Sequence, residues 1–321
     1  MNISVDSSIS ELQGYLEQLK WIDNEVISDV VSAGEGNMNV VLRIMTDRRS
    51  FILKQSRPYV QKYPDIPAPI ERIDVEAQFY DALGKSEVSQ HLPKVMNYAP
   101  QEHLLMMSDL GDIMDMTSIY NTRVVSDTHI HQLVQIAYQC HRSSVSAAFP
   151  PNMELRQLNH QHIFTLPFDM NNGFSLDDVQ AGLQELVRPY QQNLELKSVI
   201  AEMGENYLSH GEILIHGDYY PGSWMHSGEE LYVLDPEFAH LGQAEFDLGI
   251  MTAHLIMATH DMAYRSKVID AYPIDIDKLL LSRYAGIEIM RRLIGLAQLP
   301  ISRTLAEKKD LLDIAVTLIQ L

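Results

Sequence analysis

Asp218 sits in the stretch IHGDYYPGSW (215–224), between the apolar runs EILI and LYVLDPEF, and two more carboxylates, Asp235 and Glu237, close the second run. Two like charges held side by side cost free energy unless a cation lies between them. Read as a strand end, Asp235 and Glu237 are two apart and point to one side. A hard, oxygen-seeking ion such as Mg2+ is their natural partner. The acid of the preceding turn, Asp218, would then position a hydroxyl for attack on ATP and accept its proton late. His216 would brace that turn by hydrogen bonding rather than react. The bland alternative is a surface strand, loop and strand carrying ordinary turn residues.

Upstream residues supply what phosphates would need. No G-x-x-x-x-G-K-[ST] occurs, so the phosphate loop of that name is absent. GEGNMN (34–39) has two of the three glycines of a dinucleotide fingerprint, but strands rather than a helix follow it. In a strand–turn–strand, Gly34 and Gly36 let backbone N–H groups approach phosphate oxygens. Lys54 in FILKQ lies on the next strand, within reach of the same phosphates, and Glu76 on a following helix could pair with it and hold it straight. Taken alone, GEGN is a hairpin turn and Lys54 a solvated strand-end charge. Asp247 in EFDLG opens a helix, either as an acid at the favourable end of the macrodipole or as a buried brace for the catalytic turn.

The elements that must position these residues change character along the chain. Residues 25–56 hold three β-branched runs separated by GEGN and TDRR, an antiparallel meander. SRPYVQKYPDIPAP reads as a proline-rich loop, IERIDVEAQFYDALG as a helix with a Gly stop, and PKVMNYAP and EHLLMMSDL as two more strands. From Gly111 onward the patterns are helical, interrupted by EILIHGD and ELYVLDPEF as short strands. The expected architecture is α+β: a β-rich N-terminal lobe with one helix over residues 1–108, and a mostly helical C-terminal lobe over 109–321.

Composition narrows the function classes. The chain has 321 residues and a net charge of −19, which opposes binding to bare nucleic acid, where phosphate neutralisation supplies most of the affinity. ATP would therefore need locally placed cations, Mg2+ or lysine. The single cysteine, Cys140, cannot pair within the chain and points to a reducing compartment. No basic-then-apolar leader opens the sequence, and the most apolar stretch, LGIMTAHLIMA, is too short to span a bilayer. The expectation is a cytoplasmic protein without membrane or nucleic-acid partners. A homodimer is left open. HIH (129–131) and HQH (160–162) place histidines two apart, where helical side chains diverge, so neither reads as a zinc site.

The ordered set, a Gly-rich turn, strand Lys, helix Glu, HGD, DPE and FDLG, resembles the aminoglycoside phosphotransferase and choline kinase superfamily, with its protein-kinase-like two-lobed fold. Within it the 5-methylthioribose kinase family is most similar. That family shows a G-x-G-N-x-N turn, as in GEGNMN, a KQ strand followed by a proline-containing segment, as in LKQSRPYV, the motif DPEFA, and a twin arginine followed by IGLA, as in MRRLIGLA. The resemblance implies an ATP- and Mg2+-dependent kinase acting on a hydroxyl of a small sugar-like acceptor. Asp218 would be the catalytic acid/base, with Asp235 and Glu237 on Mg2+. Ser223, five past Asp218 where many kinases carry a metal-binding Asn, would sit beside the metal. Gly34, Gly36, Asn37, Lys54 and Glu76 would order the phosphates. Main-chain groups around Met107–Asp109 would hold adenine, and Arg291 and Arg292 would reach the sugar and the transferring phosphate. Other readings are an aminoglycoside or amino-alcohol acceptor and a catalytically silent nucleotide-binding module. Where the family reads HGDLHTGS, this chain has Tyr219, Tyr220 and Pro221 in place of Leu-His-Thr. These three are expected on the substrate side of the loop, reshaping the acceptor pocket.

Overall fold

A computed structural model describes residues 1–34, 38–146, 148–296, 298–299 and 301–321. The chain forms two compact units: one of Met1–Ile113 with Leu234–Phe238, the other of Met114–Val233 with Ala239–Leu321.

The first unit is built on a five-stranded antiparallel sheet. Its strands are β1 (Ile27–Ser32), β2 (Val40–Thr46), β3 (Ser50–Gln55), β6 (Val95–Ala99) and β7 (Leu104–Ser108), in the order β1-β2-β3-β7-β6. Side-chain parity sorts its two faces. Leu42, Ile44, Phe51, Leu53, Leu104 and Met106 are buried in one cluster with Leu12 and Leu16. Those two leucines come from a helix that the periodicity of the opening residues did not suggest, α1 (Ile9–Gln18). The expectation of one helix in this region is thus corrected to two, α1 and α2 (Arg72–Leu83). A capping box starts α1: Glu11 N–H donates to Ser8 Oγ at 3.3 Å, and Ser8 N–H donates to Glu11 Oε2 at 3.1 Å. Gln55, on the parity of Leu53, stays on the α1 side, where its Oε1 accepts from Ile3 N–H at 2.9 Å. Lys54 therefore points to the opposite face. The expected proline-rich loop instead contains a two-stranded ribbon, β4 (Tyr59–Val60) with β5 (Tyr63–Pro67).

The second unit is mostly helical: α3 (Ile119–Thr122), α4 (Asp127–His141), α5 (Met153–His160), α6 (Leu183–Gln192), α7 (Leu194–Leu208), α8 (Ala244–Thr259), α9 (Ala263–Ala271), α10 (Lys278–Ile294) and α11 (Leu305–Gln320). Among the described residues five short strands lie between them where two are expected in the helical region, counting the one that ends at the carboxylates. They are β8 (Met114–Asp115), β9 (Ile213–Ile215), β10 (Trp224–Ser227), β11 (Glu230–Val233) and β12 (His240–Gly242), paired as β11-β10-β8 and β12-β9. Segments of two to four residues carry too little periodicity to read, and β12 and β9 find each other only through the fold.

Helix α8 is buried over Phe246–Ala258 and lies against α10. Gly249 makes this close approach possible: a Cβ there would meet Tyr284 Cβ at 2.7 Å and Leu281 O at 3.0 Å. Neither partner is the free end of a flexible chain. Gly249→Ala is expected to cost about 1–3 kcal/mol through overpacking. Urea unfolding of the variant against the wild type measures it, and an unchanged midpoint would contradict the packing described.

Candidate active site

In the first unit, helix α2 presents Arg72, Glu76 and Tyr80 at i, i+4 and i+8, one face of the helix. All three are buried. Lys54 Nζ lies 2.6 Å from Glu76 Oε2 and 2.6 Å from Asp235 Oδ1. Burial works against the ammonium, but Asp235, Glu76 and Glu237 outweigh it and hold the Lys54 pKa above the ordinary lysine value. Tyr80 Oη accepts from Asp235 N–H at 3.2 Å. Arg72 donates to the carbonyls of Arg57, Pro69 and Met38 at 2.6–2.7 Å, and its Nε lies 3.3 Å from Glu237 Oε2. Asn39 Nδ2 donates to the same oxygen at 2.8 Å.

The carboxylates do not come together in the way strand alternation suggests. β11 ends at Val233, Asp235 has a left-handed backbone with φ of +62°, and Pro236–Phe238 form a 3-10 turn. Pro236 has no N–H for a ladder. Asp235 and Glu237 are thus set by a turn, each beside its own cation. Both offer hard oxygen donors, and the Asp235 side chain is 51% exposed, which suits Mg2+. Among the described residues no cluster of three or more His, Cys, Asp and Glu forms, so the ion would complete its shell with phosphate and water oxygens.

Other expected nucleotide residues are placed as follows. Gly34, with φ of +97°, is exposed two residues after β1, and Gly36 and Asn37 lie outside the described residues. Met107 is buried within β7. Asp109 pairs with Arg43 at 3.0 Å and accepts from Gly111 N–H at 3.0 Å, while Ser108 N–H donates to the Lys94 carbonyl at 2.9 Å.

In the second unit, β9 delivers the chain into the turn that carries Asp218. Asp247, on the first turns of α8, fixes that turn from behind. Its Oδ2 accepts from His216 N–H at 2.7 Å and from His141 Nε2 at 3.0 Å, and its Oδ1 accepts from Gly217 N–H at 2.9 Å. Gly217 takes φ of +82°, which turns its N–H alongside that of His216 toward one carboxylate. His216 Nδ1 accepts from Asp218 N–H at 3.3 Å. Ser223 is buried, and its hydroxyl donates to the Asp218 carbonyl at 3.0 Å, closing the loop on itself.

The Asp218 carboxylate, 22% exposed, lies 3.3 Å from Arg292. Burial pushes its pKa up, against the pull of Arg292 and Arg291. Arg291 and Arg292 are buried, not a solvated helix end, and both bind Glu288: Arg292 Nε to Oε1 at 2.6 Å, Arg291 Nη1 to Oε2 at 3.0 Å. Tyr219 does not line a substrate side. It is 1% exposed, packs between His216 and Trp224, and donates its hydroxyl to the Leu133 carbonyl at 2.7 Å. A tyrosine fits a leucine position because its polar tip finds a buried acceptor. Pro221 is likewise buried, and its carbonyl accepts from Met116 N–H at 3.0 Å. Of the three replacements, only Tyr220 meets the acid's partner, its ring lying 4.9 Å from the Arg292 guanidinium.

Sequence reasoning missed Asn39, Arg72, His141 and Glu288. Spacing held a signal for two of them: Arg72 is four before Glu76, and Glu288 is three and four before the arginines, each on a shared helix face.

Asp247→Asn would leave an amide N–H2 opposed to a main-chain or imidazole donor, a loss of about 2–5 kcal/mol. Burial raises the Asp247 pKa, but the bonds from His141 and His216 and their charge outweigh it, so the native value lies below the ordinary aspartate one. A depressed native pKa contributes stability above the unfolded value, near pH 4, that is lost as pH falls through the native value. The stability gap between wild type and Asp247→Asn should therefore be full at pH 6 and shrink below about pH 4, as measured by urea titrations across that range. A gap independent of pH would count against the buried carboxylate.

These residues sit in a chain with recognisable relatives. A methylthioribose kinase from Exiguobacterium sibiricum is 28% identical over 259 residues, 75% of this chain and 64% of that protein. One from Klebsiella pneumoniae is 26% identical over 265 residues, 76% of this chain and 64% of that protein. The match thus spans about 64% of the length of these relatives. Among solved structures, a choline kinase from Streptococcus pneumoniae aligns over 97% of this chain and 99% of its own, with TM-score 0.54 and 12% identity. An ethanolamine kinase from Plasmodium vivax aligns over 95% and 85%, with TM-score 0.56 and 12% identity. These two likenesses are of fold, and they bear out the α+β, protein-kinase-like class. Residues 29–281 match the model of the Phosphotransferase enzyme family, APH. The chain belongs to that family.

Proposed function

We propose that this protein is an ATP-dependent small-molecule kinase, with methylthioribose or a closely similar sugar as acceptor. The observation that carries the reading is the Lys54 ammonium held between Glu76 and Asp235. Structural stability alone gives little reason to bury such a group, because desolvation offsets most of what the ion pairs contribute. Phosphate oxygens, in contrast, need a fixed cation. The relatives' names support the sugar acceptor, at 26–28% identity.

In this reading the nucleotide is held by residues 1–108 together with 234–238. Lys54, kept straight by Glu76, contacts the phosphates, and the glycine-containing segment 34–37 supplies them with main-chain N–H groups. The main chain around Met107–Asp109 holds adenine. Asp235 and Glu237 hold Mg2+, whose chemistry is to neutralise the charge on the phosphates being parted. In the remainder of the chain, Asp218 orients the acceptor hydroxyl and accepts its proton as the new oxygen–phosphorus bond forms. Burial raises the Asp218 pKa, which suits a base that is called on late. Arg292 keeps that carboxylate ionised and in place until then. Ser223 serves the loop through the Asp218 carbonyl. Catalysis of this kind is positioning and charge neutralisation, with no covalent enzyme intermediate.

Among the described residues no helix is long and apolar enough to cross a membrane. A buried free thiol, Cys140, supports a cytoplasmic setting, and a net charge of −19 makes nucleic acid an unsuitable partner.

Coupled ADP-release assays with methylthioribose, an aminoglycoside and choline test the acceptor. Selective turnover of methylthioribose is expected, and preference for either other class would replace the sugar. Asp218→Asn should lower kcat by roughly 10²–10⁴-fold, and near-normal turnover would remove the assignment. Lys54→Met should weaken Mg·ATP binding by tenfold or more, about 1.4 kcal/mol, read by isothermal titration calorimetry. An unchanged Kd would take Lys54 out of the nucleotide site.

A further inference from the structure

Behind Asp218 runs a chain of buried polar groups that phosphoryl transfer does not itself require. Arg292 reaches Asp218 through one nitrogen and Glu288 through another. Glu288 Oε1 also lies 3.1 Å from Nε2 of His254, on α8. The other ring nitrogen of His254, Nδ1, is 2.6 Å from the Tyr120 hydroxyl, on α3. His254 and Glu288 are 0% and 2% exposed, and Tyr120 is 2% exposed.

The donors and acceptors along this chain have only one consistent order. Burial and the nearby arginines keep His254 neutral, its pKa lowered to about 4. A neutral imidazole has one N–H. Glu288, held ionised by Arg291 and Arg292 against burial, is acceptor-only, so Nε2 carries the proton. Nδ1 must then accept, and Tyr120 must donate to it. The run is Tyr120 O–H to His254 Nδ1, His254 Nε2–H to Glu288, Arg292 Nε–H to Glu288, and Arg292 Nη2–H to Asp218. The Tyr220 ring completes the enclosure, 5.3 Å from the His254 ring and 4.9 Å from the Arg292 guanidinium. Arg292 therefore has little freedom: one edge is tied to Glu288, one nitrogen points at Asp218, and one face is covered.

We infer that His254 and Tyr120 are positioning residues for the phosphotransfer step: they fix Glu288, which fixes Arg292 against Asp218. The claim rests on the kinase reading above and deepens it. Its reach is the orientation and basicity of Asp218. The charged and titratable groups facing Asp218 are Arg291, Arg292 and Glu288 on α10, His216 on its own loop, Tyr120 on α3 and Tyr207 on α7. Of these the arginines lower its pKa, and Arg292 does so in direct contact. If Arg292 loosens, Asp218 loses its strongest opposition to burial and protonates at higher pH.

The experiment is a pH–rate profile of kcat with Mg·ATP and methylthioribose for wild type, His254→Leu, His254→Gln and Tyr120→Phe. His254→Leu should lower kcat by roughly tenfold to a hundredfold, as for a reacting group displaced by a fraction of an ångström to an ångström. It should move the acid limb to higher pH and leave KM for ATP unchanged. His254→Gln, which keeps one donor and one acceptor, should restore most of kcat and return the limb. Tyr120→Phe should shift it in the same direction as His254→Leu, by less. A folded His254→Leu enzyme with the wild-type limb overturns the inference, even if its melting temperature falls. If that variant does not fold, Tyr120→Phe decides alone, because it removes a single hydroxyl. Imidazole 15N spectra give an independent reading. His254 should be one neutral tautomer protonated at Nε2, in the wild type and in Tyr120→Phe alike because Glu288 sets it, and protonation at Nδ1 in the wild type would overturn the order of donors. A wild type that turns over another acceptor replaces methylthioribose in the same profile. A wild type inert with every acceptor sinks the kinase reading, and this inference falls with it.

Discussion

The Lys54 ammonium is only 3% exposed, and it persists as a charge because Glu76 and Asp235 each lie 2.6 Å away. Removing a charge from water costs several kcal/mol unless opposite charge replaces the lost hydration. Much of the first unit meets that requirement. Parity in β3 sends Lys54 away from the α1 face, α2 supplies Glu76 from a buried turn, and the tight turn at Asp235 brings in the second acid. One helical turn earlier, Arg72 does the same for Glu237, with Asn39 on the same oxygen. The helix face 72–76–80 is a frame on which three acids and two bases are arranged, and the sheet beneath it sets the height of one of them.

The second unit solves a related problem with main-chain groups. Asp247 accepts from consecutive N–H groups of the turn, and only a glycine at 217 allows both to face it without strain. The helix carrying Asp247 also carries His254, two turns further along. The close approach at Gly249 lies between them in sequence and sets how near α10 can come. Packing and polar order are therefore one design here: a methyl group added at the crossing would displace the helix that bears Glu288, Arg291 and Arg292.

Much of this was legible in the residues. The meander, α2 and the Lys54–Glu76 pair follow from alternation, helical spacing and the order of motifs, while for Asp247 the sequence leaves a helix-start acid and a brace both open, and its hydrogen bonds decide for the brace. What failed did so for identifiable reasons. Alternation makes Asp235 and Glu237 a strand end, yet Pro236 between them cannot serve a ladder, and the chain turns instead. Helix α1 gives little periodic signal although Ser8 and Glu11 spell a capping box, because its apolar face is only Leu12 and Leu16 deep. Tyr219 is expected as pocket lining from its place in the HGD loop, and only the Leu133 carbonyl shows that its hydroxyl goes to the interior. Arg72 shows in the sequence only as a helix-face neighbour of Glu76, since nothing there distinguishes a fully buried arginine from one in solvent until its acceptors are in place.

The compact units do not divide at a single point in the chain, since Leu234–Phe238 belongs with Met1–Ile113. A fragment cut after Ile113 would lack Asp235 and Glu237, and so would keep Lys54 with one carboxylate and Arg72 with neither of those acids. Exchanging N-terminal halves between relatives at that junction would create the same mismatch unless the five-residue insert travelled with the half it serves. For recombination, whether in a laboratory library or a genome, the inheritable module is discontinuous.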